Sequence, residues 1–250
     1  MTSAADPSIA EAAHHEDGAR SAFYDVGAHA RLWIVAGAAL ALDLWTKSWA
    51  FAVLGPNDVH TAIPAILTFR RSINPGALFG MGRGLVGLFI VASFVALAFV
   101  MYLFAGSRPN RRSLHVALSF VLAGSLGNLY DRTFISADRI AFKDNDGRSQ
   151  PEFYGRVVSD AHADYVEVGS PPDGLPPVRR IRRSDIADIR RVGIVRDFLK
   201  FEPRVAGRDV WPWVFNVADS LLVAGVGLLM INFWMDRRAE IRAANEGGPT

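Results

Sequence analysis

No cysteine occurs anywhere in the chain. That excludes disulfides, thiol nucleophiles, thiolate metal sites and lipidation on cysteine. Histidine is scarce, six in 250 residues, and only His14 and His15 lie close together. No H-E-x-x-H pattern is present, so a zincin is excluded and neither a metal nor another cofactor is expected. An excess of either charge is also missing: 27 basic against 25 acidic side chains leave +2, which gives no reason to expect a nucleic-acid partner. Carboxylates, hydroxyls and amines remain for chemistry.

Apolar residues are plentiful. Half the chain is hydrophobic and 21% is charged, yet the mean hydropathy is +0.18. The apolar residues must therefore be concentrated. A bilayer core is crossed by about 20 apolar helical residues, and four segments qualify: Leu32 to Leu54, Leu85 to Gly106, Leu114 to Tyr130 and Val214 to Trp234. Trp33, Trp49, Trp211, Trp213 and Trp234 sit near the ends of the first and fourth, the depth that aromatics favour. The first segment is too long and too far from the N-terminus to be a cleavable signal peptide. Arg108, Arg111 and Arg112 in one short loop, with Arg237, Arg238 and Arg242 in the C-terminal tail, put those segments on the cytoplasmic side. Arg70, Arg71 and Arg83 on the opposite side weigh against it, as do Arg132 and Arg196.

The fold expected is an all-α integral membrane protein of four transmembrane helices, with a small β-element at the outer membrane face and a long extracytoplasmic insertion. Residues 1–30 read as a disordered cytoplasmic tail and 31–131 as the first three spans. Within them, 56–84 is a short β-rich outer segment, since Ile63, Ala65, Leu67 and Phe69 alternate with period two. Residues 132–194 form the insertion, 195–235 a catalytic segment with the fourth span, and 236–250 a cytoplasmic tail. Inside the insertion, Arg156 to Val168 has strand character, and prolines between Pro171 and Pro177 mark a break. Asp144 to Gly147 reads as a turn, its spacing being wrong for a calcium loop. The cluster Arg179, Arg180, Arg182, Arg183 reads as a solvated face ahead of lipid-headgroup contact.

A charge in mid-bilayer costs several kcal/mol, so each one asks for a reason. Asp43 and Lys47 stand four apart in the order that favours an ion pair, and the simpler reading is a pair that fixes helix packing. Asn128 and Asp131 share one face at the end of the third span, with Arg132 following. Asn216 and Asp219 repeat that arrangement on the fourth. Asp219 lies roughly 8 Å beyond Val214 with no basic neighbour within a turn, which points to function. Asp197, in an apolar stretch before the fourth span, reads by itself as a surface acid. In the four-span arrangement the carboxylates at 131, 197 and 219 all reach one membrane face. Two carboxylates held close share a proton, so one activates water while the other protonates the carbonyl. On the residues alone Asp131 ranks above Asp197 as the partner of Asp219.

At these residues the sequence resembles lipoprotein signal peptidase, or signal peptidase II, a family of bacterial four-span membrane aspartyl proteases. The resemblance rests on Asp43-Leu44-Trp45-Thr46-Lys47, Asn74-Pro75-Gly76-Ala77-Leu78-Phe79-Gly80, Gly124 through Arg132, Val195-Arg196-Asp197-Phe198 and Phe215 through Ser220, in the family's order. It implies an aspartic endopeptidase with Asp197 and Asp219 as the catalytic pair. Asp43, Lys47, Asn74, Gly76, Asn128, Asp131, Arg132, Asn216 and Ala218 would then support the dyad or bind substrate. It also implies the substrate, a prolipoprotein whose cysteine carries diacylglycerol, cut just before that cysteine. The implied enzyme is a cofactor-free monomer in the bacterial inner membrane, in contact with membrane lipids, with its site at the periplasmic face. The chain departs from the family in the roughly 60 residues between Arg132 and Val195, where a short connection is usual, and in Leu78, where Ala is commoner. Rhomboid-like and presenilin-like proteases lack their motifs here: Gly124-Ser125-Leu126-Gly127 has the wrong spacing, and no G-x-G-D accompanies Tyr130-Asp131. A small transporter using Asp43, Lys47 and Asp219 as a proton path, and an inactive scaffold, are the non-protease alternatives.

Overall fold

The structure is a computed structural model that describes residues 21–76, 86–143 and 152–246. The N-terminal tail to residue 20, Ala77 to Gly80, Arg83, and Asp144 to Gly147 lie outside the described residues.

Among the described residues there are four α-helices: α1 (Val26–Val53), α2 (Val86–Ala105), α3 (Arg112–Phe134) and α4 (Val217–Glu246). Three are long and apolar enough to cross a membrane, in Val26–Val53, Arg112–Phe134 and Val217–Asn245, while α2 contributes the shorter apolar stretch Ile90–Ala105. The expectation of an all-α protein is overturned: the chain is about 50% helix and about 30% strand. The reason is local. Connections that hydropathy leaves as loops carry β-branched and aromatic residues at alternate positions, which pair as antiparallel strands.

The chain divides into two units. The first combines residues 1–41, 94–125 and 220–250. Its interior is made of small and medium side chains such as Ala28, Leu32, Ala36, Ala117, Leu118 and Val121. Phe94, Phe99, Val223, Met230 and Phe233 are exposed instead. Small residues inside and large apolar residues outside is the arrangement that suits lipid as solvent. Polar links tie its helices: Ser119 Oγ donates to the Leu32 carbonyl at 3.0 Å, Asn232 Nδ2 to Ser113 Oγ at 3.0 Å, and Arg111 pairs with both carboxylate oxygens of Asp236 at 2.7 Å.

The second unit combines residues 42–93 and 126–219 and contains two larger sheets. One is four-stranded, in the order β1 (His60–Ile63), β2 (Leu67–Asn74), β8 (Val195–Phe201), β11 (Val214–Phe215), and antiparallel throughout. Its β2–β8 register sets Ser72 opposite Asp197 and Asn74 opposite Val195. Phe69, Ile73, Phe198 and Leu199 from this sheet pack on Ala50, Phe51 and Leu54 of the last turns of α1.

The other is five-stranded and built by the insertion, in the order β6 (Leu175–Arg182), β5 (Tyr165–Ser170), β4 (Phe153–Ser159), β3 (Ser136–Phe142), β7 (Ile186–Gly193). A three-residue 3-10 turn, Arg183–Asp185, joins the two edge strands β6 and β7. A link that short requires the sheet to curl until its edges converge there. Ile140, Val166 and Val168 form its small core. The insertion is therefore a folded element. Its stem is narrow: Ile194 N donates to the Ile135 carbonyl at 3.0 Å, and a side chain at Gly193 would strike the Arg132 carbonyl. A hairpin of β9 (Arg204–Val205) and β10 (Arg208–Asp209) completes the unit.

Candidate active site

Every candidate site residue lies in the second unit or on the helix turns that belong to it. Strand β8 carries Asp197, the start of α4 carries Ala218 and Asp219, the end of α3 carries Asn128, Asp131 and Arg132, and the second half of α1 carries Asp43 and Lys47.

Lys47 is the place to begin, because an ammonium can only donate. It is fully buried. It pairs with Asp43 at 2.8 Å and with Asp131 at 3.7 Å, and donates to Asn128 Oδ1 at 3.1 Å. That contact fixes the Asn128 amide. Its carbonyl must face Lys47, so its Nδ2 faces Asp219 and donates to Oδ1 at 2.8 Å. Asn216 is fixed in turn. Its Nδ2 donates to Asn128 Oδ1 at 3.2 Å and to Asp197 Oδ1 at 2.6 Å. Its Oδ1 accepts from Asp219 N at 2.9 Å, while its own N donates to Asp219 Oδ2 at 3.2 Å. Asn216 thus precedes α4 as a reciprocal N-cap and bridges the two carboxylates.

Asp197 and Asp219 differ in setting. Asp197 is 2% exposed. Burial first, and then the Asp219 charge, push its carboxyl well above the usual carboxylate range, against hydrogen bonds from Asn216 and Asn74 that act the other way. Asp219 is half-buried and accepts only N–H donors among the bonds described above.

The remaining residues hold this pair. Asp131 is fully buried and bound by Arg196, whose N donates to Oδ2 at 2.9 Å and whose Nη2 donates to Oδ1 at 2.8 Å. Asp131 is thereby committed to two cations, Arg196 and Lys47. Asp43 accepts from Ala218 N at 2.8 Å, which locks the first turn of α4 to α1. Gly127 allows that approach: a Cβ there would strike the Asp43 carboxylate and meet Ala218 Cβ at 3.3 Å. Arg132 donates to the Gly76 carbonyl at 3.2 Å and the Asn128 carbonyl at 3.4 Å. Asn74 Oδ1 accepts from Gly76 N at 3.0 Å, a local Asx turn after β2. Sequence reasoning missed Arg196 as a site residue. Its signal was adjacency to Asp197 in a stretch otherwise apolar but for Lys200, where a buried cation demands a buried acid. Among the described residues no cluster of His, Asp or Glu suits a metal ion.

Comparison with known proteins shows the family. Residues 35–235 match the Signal peptidase (SPase) II family. The lipoprotein signal peptidase of Bifidobacterium longum subsp. infantis is 46% identical over 39% of this chain and 53% of its own. That of Desulfitobacterium hafniense is 27% identical over 84% of this chain and 96% of its own. A bacterial membrane enzyme solved by the in meso method at 2.3 Å resolution shares the fold, with a TM-score of 0.55 and 21% identity over 91% of this chain and 96% of that one. The match with the Bifidobacterium relatives spans about half of their length. Helices able to cross a membrane and a set of interlocked buried carboxylates define a membrane protein with a polar centre among its helix and strand ends. The chain belongs to the signal peptidase II family, and its apolar helices make it a multi-pass membrane protein.

Proposed function

We propose that the protein is an aspartic endopeptidase that removes the signal peptide from diacylglyceryl-modified prolipoproteins, cutting just before the lipidated cysteine. The observation that carries the chemistry is the bridge Asp197–Asn216–Asp219, with Asp197 pushed toward its protonated form.

In this reading the two carboxylates take distinct parts. Asp219, as the base, takes a proton from water as the water oxygen attacks the scissile carbonyl carbon. Asp197 gives its proton to the carbonyl oxygen, which yields a neutral tetrahedral diol. As the C–N bond breaks, Asp219 returns its proton to the leaving amine and Asp197 recovers one from the diol hydroxyl. The products are a carboxylic acid and an amine, and both side chains regain their starting states. Asp131 has the wrong environment for this exchange, since Arg196 and Lys47 occupy its carboxylate. Its role here is to position β8 through Arg196.

A site at the periplasmic face of the inner membrane suits a substrate whose lipid chains stay in the bilayer. The lipid then contributes binding energy that positions the scissile bond. The test is incubation of purified protein in lipid with diacylglyceryl-modified and unmodified prolipoprotein, with products identified by mass. The modified substrate should be cut once, before the lipidated cysteine. No product from that substrate with folded protein would refute the proposal and favour a transporter or scaffold role.

A further inference from the structure

Strand β2 has two working faces. Ser72 stands opposite Asp197 and Asn74 hydrogen-bonds it. Ile73 packs instead with Phe51 and Phe198, and the Arg71 guanidinium lies 4.6 Å from the centre of the Phe51 ring. On that side is a cavity of about 170 Å³, lined by the end of α1, by β2 and by the insertion's β4, β5 and proline-rich turn.

Arg71 lines this cavity with its side chain 4% exposed. Its Nη2 donates to the Pro171 carbonyl at 3.1 Å and to Asp173 Oδ2 at 2.9 Å. Its Nη1 is buried and has no hydrogen-bond partner among the described residues. A guanidinium cannot discharge itself, so a buried N–H left unmet carries a full desolvation penalty. Arg179 also lines the cavity, its guanidinium 5.4 Å from the centre of the Phe153 ring. It is exposed and has no carboxylate partner among the described residues. Two guanidinium groups thus line the cavity, of which Arg71 alone is paired with a carboxylate, Asp173, and Asn57, Tyr154 and Ser170 add neutral hydrogen-bonding groups.

We propose that this cavity binds a phosphate ester, with Arg71 Nη1 and Arg179 as its cationic ligands. A phosphate offers several acceptors to a planar fork and balances the excess positive charge. Its source is a phospholipid headgroup. Phe51, Pro56 and Asn57 place the cavity where α1, a helix long enough to cross a membrane, has just ended, and that is headgroup depth. The proposal rests on the membrane character of the chain and not on the peptidase chemistry.

The test uses the full chain, delipidated in uncharged detergent, with short-chain phosphatidylglycerol, the matching diacylglycerol and inorganic phosphate as probes, followed by tryptophan fluorescence and native mass spectrometry. Phosphatidylglycerol should bind at least tenfold more tightly than diacylglycerol. Arg179→Gln, an exposed substitution that leaves the core intact, should weaken it about tenfold, and Arg71→Lys likewise. Arg182→Gln, an equal charge change on β6 away from the cavity, should not. Equal binding of diacylglycerol, or an equal loss with Arg182→Gln, would overturn the site. Inorganic phosphate that fails to compete confirms the headgroup as the source; phosphate that binds as tightly as the lipid keeps the anion site and overturns the lipid assignment. Cleavage of prolipoprotein, assayed separately, should survive Arg179→Gln.

Discussion

Lys47 decides which way Asn128 points, and Asn128 decides which of its atoms Asp219 meets. Removing the ammonium should therefore disturb the dyad without touching it. Lys47→Met leaves the Asp43 and Asp131 carboxylates buried beside an apolar stem. Breaking a buried pair in this way costs about 3–5 kcal/mol, and thermal unfolding should show it. Asp197 yields a prediction with a definite sign. Its folded-state carboxyl is raised by burial and by Asp219, so its protonated form is favoured in the fold. The stability it contributes is present at low pH and is lost as pH rises through that raised value. Asp197→Asn, neutral and similar in shape, should then be more heat-stable than wild type on the alkaline side, and of comparable stability in acid. Peptidase activity should fall over the same alkaline range as the shared proton is lost. At this scale much was legible in the sequence, because a polar residue inside an apolar helix needs a reason to be there. Asp43, Lys47, Asn128, Asn216 and Asp219 all stand out that way. Arg196 did not, since it lies on a strand rather than a span. The ranking of Asp131 above Asp197 on residues alone could not foresee that Arg196 would occupy Asp131.

The insertion is the element with the clearest consequence. Ile135 and Ile194 are already hydrogen-bonded across its stem. Replacing residues 136–193 by two glycines should leave α3 and β8 in place. The shortened protein should keep its cleavage activity within about tenfold, and should lose phosphatidylglycerol binding because Arg179 goes with the excised strands. Loss of all activity in a folded product would show instead that the sheet helps to place Asp197. The stem also makes Gly193 sensitive: Gly193→Ala drives a methyl group into the Arg132 carbonyl, and a loss of thermal stability of about 1–3 kcal/mol is expected, as for other overpacked sites. The helices were readable from hydropathy because their signal accumulates over some twenty residues. The strands were less so. In β6, Leu175 to Arg182, nearly every side chain is exposed and two prolines interrupt it, so neither alternation nor propensity marks it as a strand. Only β1, β2, β4 and β5 left a partial trace, in the alternation before Ser72 and in Arg156 to Val168.

For the whole molecule, the first unit is inverted with respect to a water-soluble protein, with alanines inside and Phe94, Phe99, Met230 and Phe233 exposed. The second unit is sheet-rich and gathers the candidate site residues from strand ends and helix ends. That division explains why sequence reading found the apolar helices but not the fold class. The apolar helices dominate the hydropathy, while about 30% of the chain pairs as strands whose partners are distant in sequence. The register that sets Ser72 against Asp197 joins positions 125 residues apart. The most direct test of the whole is the rate of prolipoprotein cleavage by wild type, Asp197→Asn, Asp219→Asn and Asp131→Asn, each confirmed to be folded. Loss of a general acid or base should slow the first two variants by about 10²–10⁴-fold, with Asp131→Asn retaining partial activity. Near-wild-type cleavage by Asp197→Asn, together with an inactive Asp131→Asn, would contradict the assignment and move the dyad to Asp131 and Asp219.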